Sequence, residues 1–193
     1  MRHVISALVM NEPGVLSLVS GLFSARGFNI DSLVVGRTET PDLSRMTVVV
    51  DADDNTLQQV RKQLAKLVPV VKVRDFKGAA YVERDLALIS VAVTAEKRSE
   101  VIEIVTLFRG KVVDVAKNSL LVELSGTEDK IEALTQLLEP YGIKELARTG
   151  VIAMARGAQA ARDEADEKAG RQQSGGKRKR SLDAPSAAAL PPS

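Results

Sequence analysis

Cysteine is absent from the 193 residues, which excludes a disulfide framework, thiolate chemistry and any cysteine-ligated zinc or iron–sulfur site. Tryptophan is absent too, and two Tyr and four Phe are the only aromatics, so the cores must be built from Val, Leu, Ile and Ala. The single histidine, His3, stands at the start of the first apolar run and reads as a half-exposed strand residue, not a general base. No spacing of His and carboxylates matches a metal site, and neither a P-loop nor a Gly-x-Gly-x-x-Gly turn occurs. Asp51, Asp53 and Asp54 read as turn and helix-cap residues. Glu83-Arg84-Asp85 is a charge cluster where a second half begins, and Arg109-Gly110 is a helix ending on its glycine. The expectation is a chain with no catalytic residue, no metal site and no cofactor of its own.

Long apolar runs are also missing: none reaches the roughly 18 residues of a membrane-spanning helix. The first strand is expected within two residues of Met1, which leaves no room for a signal peptide; a cytoplasmic location is the expectation. The formal net charge is +2. Seven of the 27 basic residues and five of the 25 acidic ones lie in 157–193, so residues 1–156 carry 20 of each. A neutral body is not built to bind a polyanion, and no nucleic-acid partner is expected.

What is present is a duplicated pattern of Val- and Ile-rich strands and amphipathic helices. The first half reads as strand 3–10, helix 15–26, strand 29–37, strand 45–51, helix 55–67 and strand 69–75. Leu57, Val60, Leu64 and Leu67 form an apolar stripe at helical spacing, and Asp53-Asp54-Asn55 supplies a cap. The second half repeats the order as strand 82–93, helix 97–109, strands 112–116 and 119–124, helix 128–139 and strand 142–148. Leu22-Phe23 matches Leu107-Phe108 at a shift of 85, and Leu57, Val60 and Leu64 match Ile131, Leu134 and Leu138 at a shift of 74. The fold class is α+β: two consecutive βαββαβ ferredoxin-like units, 2–76 and 82–156, a linker at 77–81 and a disordered tail at 157–193. Each unit leaves one sheet face or an edge in need of cover, which favours self-association. The tail is too poor in apolar residues to order itself, and its Lys177-Arg178-Lys179-Arg180 cluster reads as a solvated run.

The most informative residues are Asn11-Glu12-Pro13-Gly14-Val15-Leu16, where the first strand hands over to the first helix. A helix N-terminus presents unpaired N–H groups and a positive dipole end, a fit for a small carboxylate. Gly14 permits close approach to the backbone and Pro13 stiffens the turn. Beyond the helix, Gly27-Phe28-Asn29-Ile30 adds a second asparagine. The plainer reading is a good turn and helix start. The pair of motifs within a duplicated chain favours a receptor for a free amino acid.

Residues 2–76 resemble an ACT domain. The segments Asn11 to Leu16, Leu22 to Leu33 and Leu43 to Thr47 are similar to the regulatory small subunit of acetolactate synthase, also called acetohydroxyacid synthase. The similarity continues through Val82 to Leu88, Phe108-Arg109-Gly110, Glu145 to Gly150 and Ala155-Arg156-Gly157. The resemblance implies a non-catalytic regulatory subunit of branched-chain amino-acid biosynthesis. Its partner would be a separate large catalytic subunit carrying thiamine diphosphate, magnesium and FAD. The resemblance also implies activation of that subunit, feedback inhibition by valine, and a homodimer formed through the ACT domains. Carried over by motif, Asn11, Gly14 and Val15 of one protomer would face Asn29 and Ile30 of the other around valine. Asp31 departs from the commoner Glu, and the long tail has no counterpart in many members. Two rival readings are a stand-alone ACT-type amino-acid sensor controlling transcription or another enzyme, and an enzyme in its own right. The second half lacks an Asn-x-Pro-Gly equivalent, which points it towards docking.

Overall fold

Alternating apolar residues make β1 (Arg2–Met10) a two-sided strand: Ile5, Ala7 and Val9 face one way, Val4, Ser6 and Leu8 the other, and all six are buried. The structure is a computed structural model and describes residues 1–157. The expected disordered tail, 157–193, lies outside the described residues from residue 158 onward, its Lys177–Arg180 cluster included. After β1 come α1 (Val15–Ser24), β2 (Ser32–Arg37), β3 (Leu43–Asp51), α2 (Asp54–Leu64) and β4 (Val70–Asp75). The strands form one antiparallel sheet in the order β2-β3-β1-β4. Val15, Val19, Leu22 and Phe23 of α1 and Leu57, Val60 and Leu64 of α2 close a core against Ile5, Ala7, Val9, Met46, Val48 and Val50.

The second half repeats this plan. β5 (Tyr81–Ala92), α3 (Arg98–Leu107), β6 (Lys111–Ala116), β7 (Ser119–Gly126), α4 (Glu128–Leu138) and β8 (Ile143–Arg148) give the order β6-β7-β5-β8. A further strand, β9 (Ile152–Ala155), also pairs with β5; it was not expected. Both halves carry a bulge in the last strand, at Val71 of β4 opposite Leu8-Val9 and at Lys144 of β8 opposite Ser90-Val91. All six residues of the 74-residue match are buried. The 85-residue match fails at one position, because Leu22 is core whereas Leu107 is 76% exposed. Burial instead aligns Val15 and Val19 with Val101 and Val105, one residue further on.

The helix ends account for several sequence signals. Asp53 caps α2 by accepting the Thr56 N–H at 2.7 Å, and that bond holds its carboxyl below the ordinary range. Helix α1 ends in a Schellman motif: Gly27 has φ +67, its N–H donates to Ser24, and Phe28 N–H donates to Phe23 O at 3.1 Å. Phe28 then packs edge-on against Phe23, ring centroids 6.5 Å apart. Strand β2 therefore starts at Ser32, three residues later than expected, because 27–28 serve the helix cap.

Helix α3 ends the same way, but with Arg109 at φ 55 in the left-handed position and Gly110 N–H bonded to Val105 O. The glycine is not the left-handed residue here. A Cβ at Gly110 would lie 2.9 Å from Val105 Cγ1 and 3.2 Å from the carbonyl oxygens of Glu123 and Val105, so close approach explains it. Placing glycine at the left-handed position, as α1 does, should relieve strain. Arg109→Gly is expected to raise stability by roughly 0.5–1 kcal/mol, read as a higher urea midpoint, the relief being offset in part by glycine's flexibility in the unfolded chain.

His3 is 7% exposed and its Nε2 lies 3.1 Å from Ala52 O, so it is a satisfied, buried residue and not the half-exposed one expected. Val4, Ser6, Leu8, Thr47 and Val49 are buried although they point away from both helices. The C-terminal half supplies cover on this face: Val151 N–H donates to Ser32 Oγ at 3.2 Å, and a Cβ at Gly150 would come within 2.8 Å of Val34 Cγ2. Cover for this face thus comes from within the chain. Among the described residues, no further strand pairs with the β2 edge.

Candidate functional site

Gly14 is the N-cap of α1, at φ 86 and ψ −13, a conformation that costs any L-residue strain. Its carbonyl accepts the Leu18 N–H at 2.9 Å, while the N–H groups of Leu16 and Ser17 find no acceptor among the described residues. Each of the other three α-helices has a side-chain cap or an acidic residue in its first turn; α1 has neither. Its positive pole is uncompensated and exposed. Val15 is 6% exposed and belongs to the core, so it offers its backbone and not its side chain.

Asn11 is tied into the turn. Its N–H donates to Asp42 O, its Nδ2 donates to Pro41 O at 3.0 Å, and its Oδ1 accepts the Ser44 hydroxyl at 3.1 Å. One amide hydrogen and one lone pair remain for a ligand. At the other end of the helix, Asn29 donates from Nδ2 to Asp31 Oδ1 at 2.7 Å, and Asp31 N–H is anchored on Val49 O. Asn29 is exposed; Ile30 is half-buried and packs against the first core. Both lie in irregular chain before β2. Asp31, which the sequence reading treated only as a departure, adds a carboxylate at the negative pole of α1.

Within one protomer the two groups stand apart. They flank α1, whose ten residues span about 15 Å. Strand registers agree: Met10 pairs with Leu43 and Arg37 with Ser44, whereas Ser32 pairs with Val49 and Val49 with Val4. The six residues from Val4 to Met10 put about 20 Å between the two ends of the sheet. Asn11, Gly14 and Val15 come together at one end, Asn29 and Ile30 at the other, and no single chain closes them around one small molecule.

A second polar assembly escaped the sequence reading. Asp85 is 2% exposed, and its Oδ2 accepts Arg148 Nε at 2.7 Å and a terminal guanidinium nitrogen at 2.6 Å. Its Oδ1 accepts the Thr149 hydroxyl at 3.1 Å and the Gly150 N–H at 3.0 Å. Beyond it, Glu128 bridges Arg148 at 3.7 Å and Arg2 at 2.7 Å, and Arg2 reaches Glu83 at 3.2 Å. Burial and the Glu83 carboxylate raise the Tyr81 hydroxyl above its ordinary value. The charge cluster 83–85 is thus a hub joining β1, β5, α4 and β8. The sequence showed the cluster 83–85 but not its partners, although Asp85 and Arg148-Thr149-Gly150 both fall in family-like segments.

Two ferredoxin-like halves, the first with an uncapped start to its first helix, define the class as an ACT domain followed by a second α+β domain. Comparison with known proteins bears this out. Residues 5–72 match the family model for the AHAS small subunit-like ACT domain, and residues 84–157 match that for the small subunit of acetolactate synthase. The chain is 53% identical over 157 residues to the probable acetolactate synthase small subunit of Archaeoglobus fulgidus, covering 81% of this chain and 98% of that protein. It is 53% identical over 155 residues to the acetolactate synthase small subunit of Mycolicibacterium smegmatis, covering 80% and 91%. The crystal structure of the Thermotoga maritima acetolactate synthase small subunit aligns at a TM-score of 0.75 with 44% identity, over 81% of this chain and 98% of that one. The chain belongs to the acetolactate synthase small-subunit family.

Proposed function

We propose that this chain activates an acetolactate synthase large subunit and makes it sensitive to feedback inhibition by valine. In this division of labour, 2–76 binds effector and dimerises, 77–81 links, and 82–156 docks on the large subunit. The thiamine diphosphate, magnesium and FAD of the reaction belong to that partner, in the cytoplasm.

The observation that carries the proposal is the polarity of α1, with an uncapped positive pole beside Asn11 and Gly14 and an acidic pole beside Asn29 and Asp31. A free amino acid is a zwitterion and needs both poles within a few ångströms. β2 is an open edge with Val35 exposed. Pairing it antiparallel with its two-fold copy sets the Ser32 end of one strand beside the Arg37 end of the other. That puts Asn29 and Ile30 of one protomer at the sheet end that carries Asn11 and Gly14 of its partner. The N–H groups at Gly14 and beyond then take the carboxylate, the asparagine oxygens and Asp31 the ammonium, and Ile30 the branched side chain.

An effector shifts an activating equilibrium only by its differential affinity, typically about 1–3 kcal/mol, or 5–150-fold. Co-expression with an acetolactate synthase large subunit and a valine titration of its activity test the proposal. The expected result is co-purification, higher activity than the large subunit alone, and loss of that gain as valine rises. A large subunit indifferent to the chain would refute it.

A further inference from the structure

The strand that follows the effector segment touches the C-terminal half. Asn29 bonds Asp31, Asp31 N–H bonds Val49 O, and the next residue, Ser32, accepts the Val151 N–H on its hydroxyl at 3.2 Å. The turn that reaches Ser32 is rigid on its other side, because Asp85 binds Arg148, Thr149 and Gly150 at once. No slack exists between them: a Cβ on Gly150 would stand 2.6 Å from Ser32 Oγ and 2.8 Å from Val34 Cγ2, and Gly150 has φ +86. Any displacement of Ser32 of a few tenths of an ångström must push the turn or be resisted by it.

We infer that the turn Thr149-Gly150-Val151, anchored on Asp85, seats on the start of β2 and passes effector occupancy at Asn29–Ile30 from the ACT domain to the C-terminal domain. Ser32, Gly150 and Val151 are positioning residues; none belongs to the effector set. The inference rests on the effector site proposed above. An effector closing on Asn29 and Ile30 moves the start of β2, and the Ser32–Val151 bond conveys that movement to the segment between β8 and β9. From there the Asp85 hub extends it through Arg148 to Glu128 at the start of α4. The coupling is mechanical and short: only Ile30 and Asp31 separate Asn29 from Ser32.

The test uses full-length Ser32→Ala and Gly150→Ala chains, each reconstituted with the large subunit. L-valine binding to the chain is read by calorimetry, and activity is read at zero and saturating L-valine. Ser32→Ala removes only the acceptor of the Val151 N–H, and Gly150→Ala forces the turn off β2. For both, valine affinity is expected within threefold of wild type and activation without valine within twofold. The activity remaining at saturating valine should rise at least threefold. A merely structural role would lower binding and activation together and leave the remaining fraction unchanged. If Gly150→Ala does not fold, Ser32→Ala decides. Wild-type inhibition in a variant that binds valine normally overturns the coupling and leaves the effector site standing. A wild-type chain that neither binds valine nor confers inhibition overturns the effector site and the coupling with it.

Discussion

Gly14→Asp is expected to give a holoenzyme that is still activated by the chain but no longer subject to the proposed inhibition by valine. The substitution places a carboxylate at the uncapped start of α1, where the free N–H groups of Leu16 and Ser17 and the helix dipole attract one negative charge. A second carboxylate about 4 Å away costs about 4 kcal/mol at an effective dielectric of 20, or roughly a thousandfold in affinity. Sterics within the chain do not contribute, because nothing lies within 4 Å of a Cβ built on Gly14. Backbone strain does, since φ is +86; it costs about 1–2 kcal/mol for any L-residue. Gly14→Ala shares the strain without the charge, so the difference between the two variants isolates the electrostatic part. Valine titration of both reconstituted complexes is the measurement. Full inhibition in Gly14→Asp would remove the carboxylate from this helix start.

Asp85→Ala is expected to destabilise the chain by about 3 kcal/mol. Removing one partner of a buried ion pair typically costs about 3–5 kcal/mol. The lower end applies because the Arg148 side chain keeps 28% exposure and has Glu128 nearby. The Gly150 N–H loses its acceptor as well, and the Thr149 hydroxyl is left with the Gly150 carbonyl. Urea unfolding of the full chain checks the value. Asp85→Asn keeps one acceptor for those two donors and should fall between the wild type and the alanine variant. A loss below about 1 kcal/mol for Asp85→Ala would mean that the hub is solvated in solution.

The repeated strand and helix order was legible because local patterns set it. Short, nearly continuous apolar runs mark β1 and β3, and the stripe Leu57-Val60-Leu64 can be buried only on a helix. The N-terminal glycine motif was legible for the same reason: its strand-to-helix handover is contiguous in the chain. Three features were not. β9 is only four residues, Ile152-Ala153-Met154-Ala155, too short for a period to stand out. The start of β2 was misplaced because Gly27 and Phe28 look like strand entry residues and act as a helix cap. The Asp85 hub draws on partners 63 to 65 residues away, and no local signal reports which distant donors will meet a given carboxylate. The asparagines show the limit at the site. Their presence could be read from the sequence, but not that Asn11 already braces the β2–β3 loop or that Asn29 leans on Asp31.

The claim on which the rest depends is that two copies of this chain clasp one zwitterion between the start of α1 and the segment before β2. Titration of the purified chain with L-valine in a calorimeter addresses it directly. Each two-fold dimer holds two such clefts, so saturation at one valine per chain is expected, with Asn29→Ala reducing the affinity at least tenfold. Absence of heat with valine, leucine and isoleucine alike, from a chain shown to be dimeric, would contradict it.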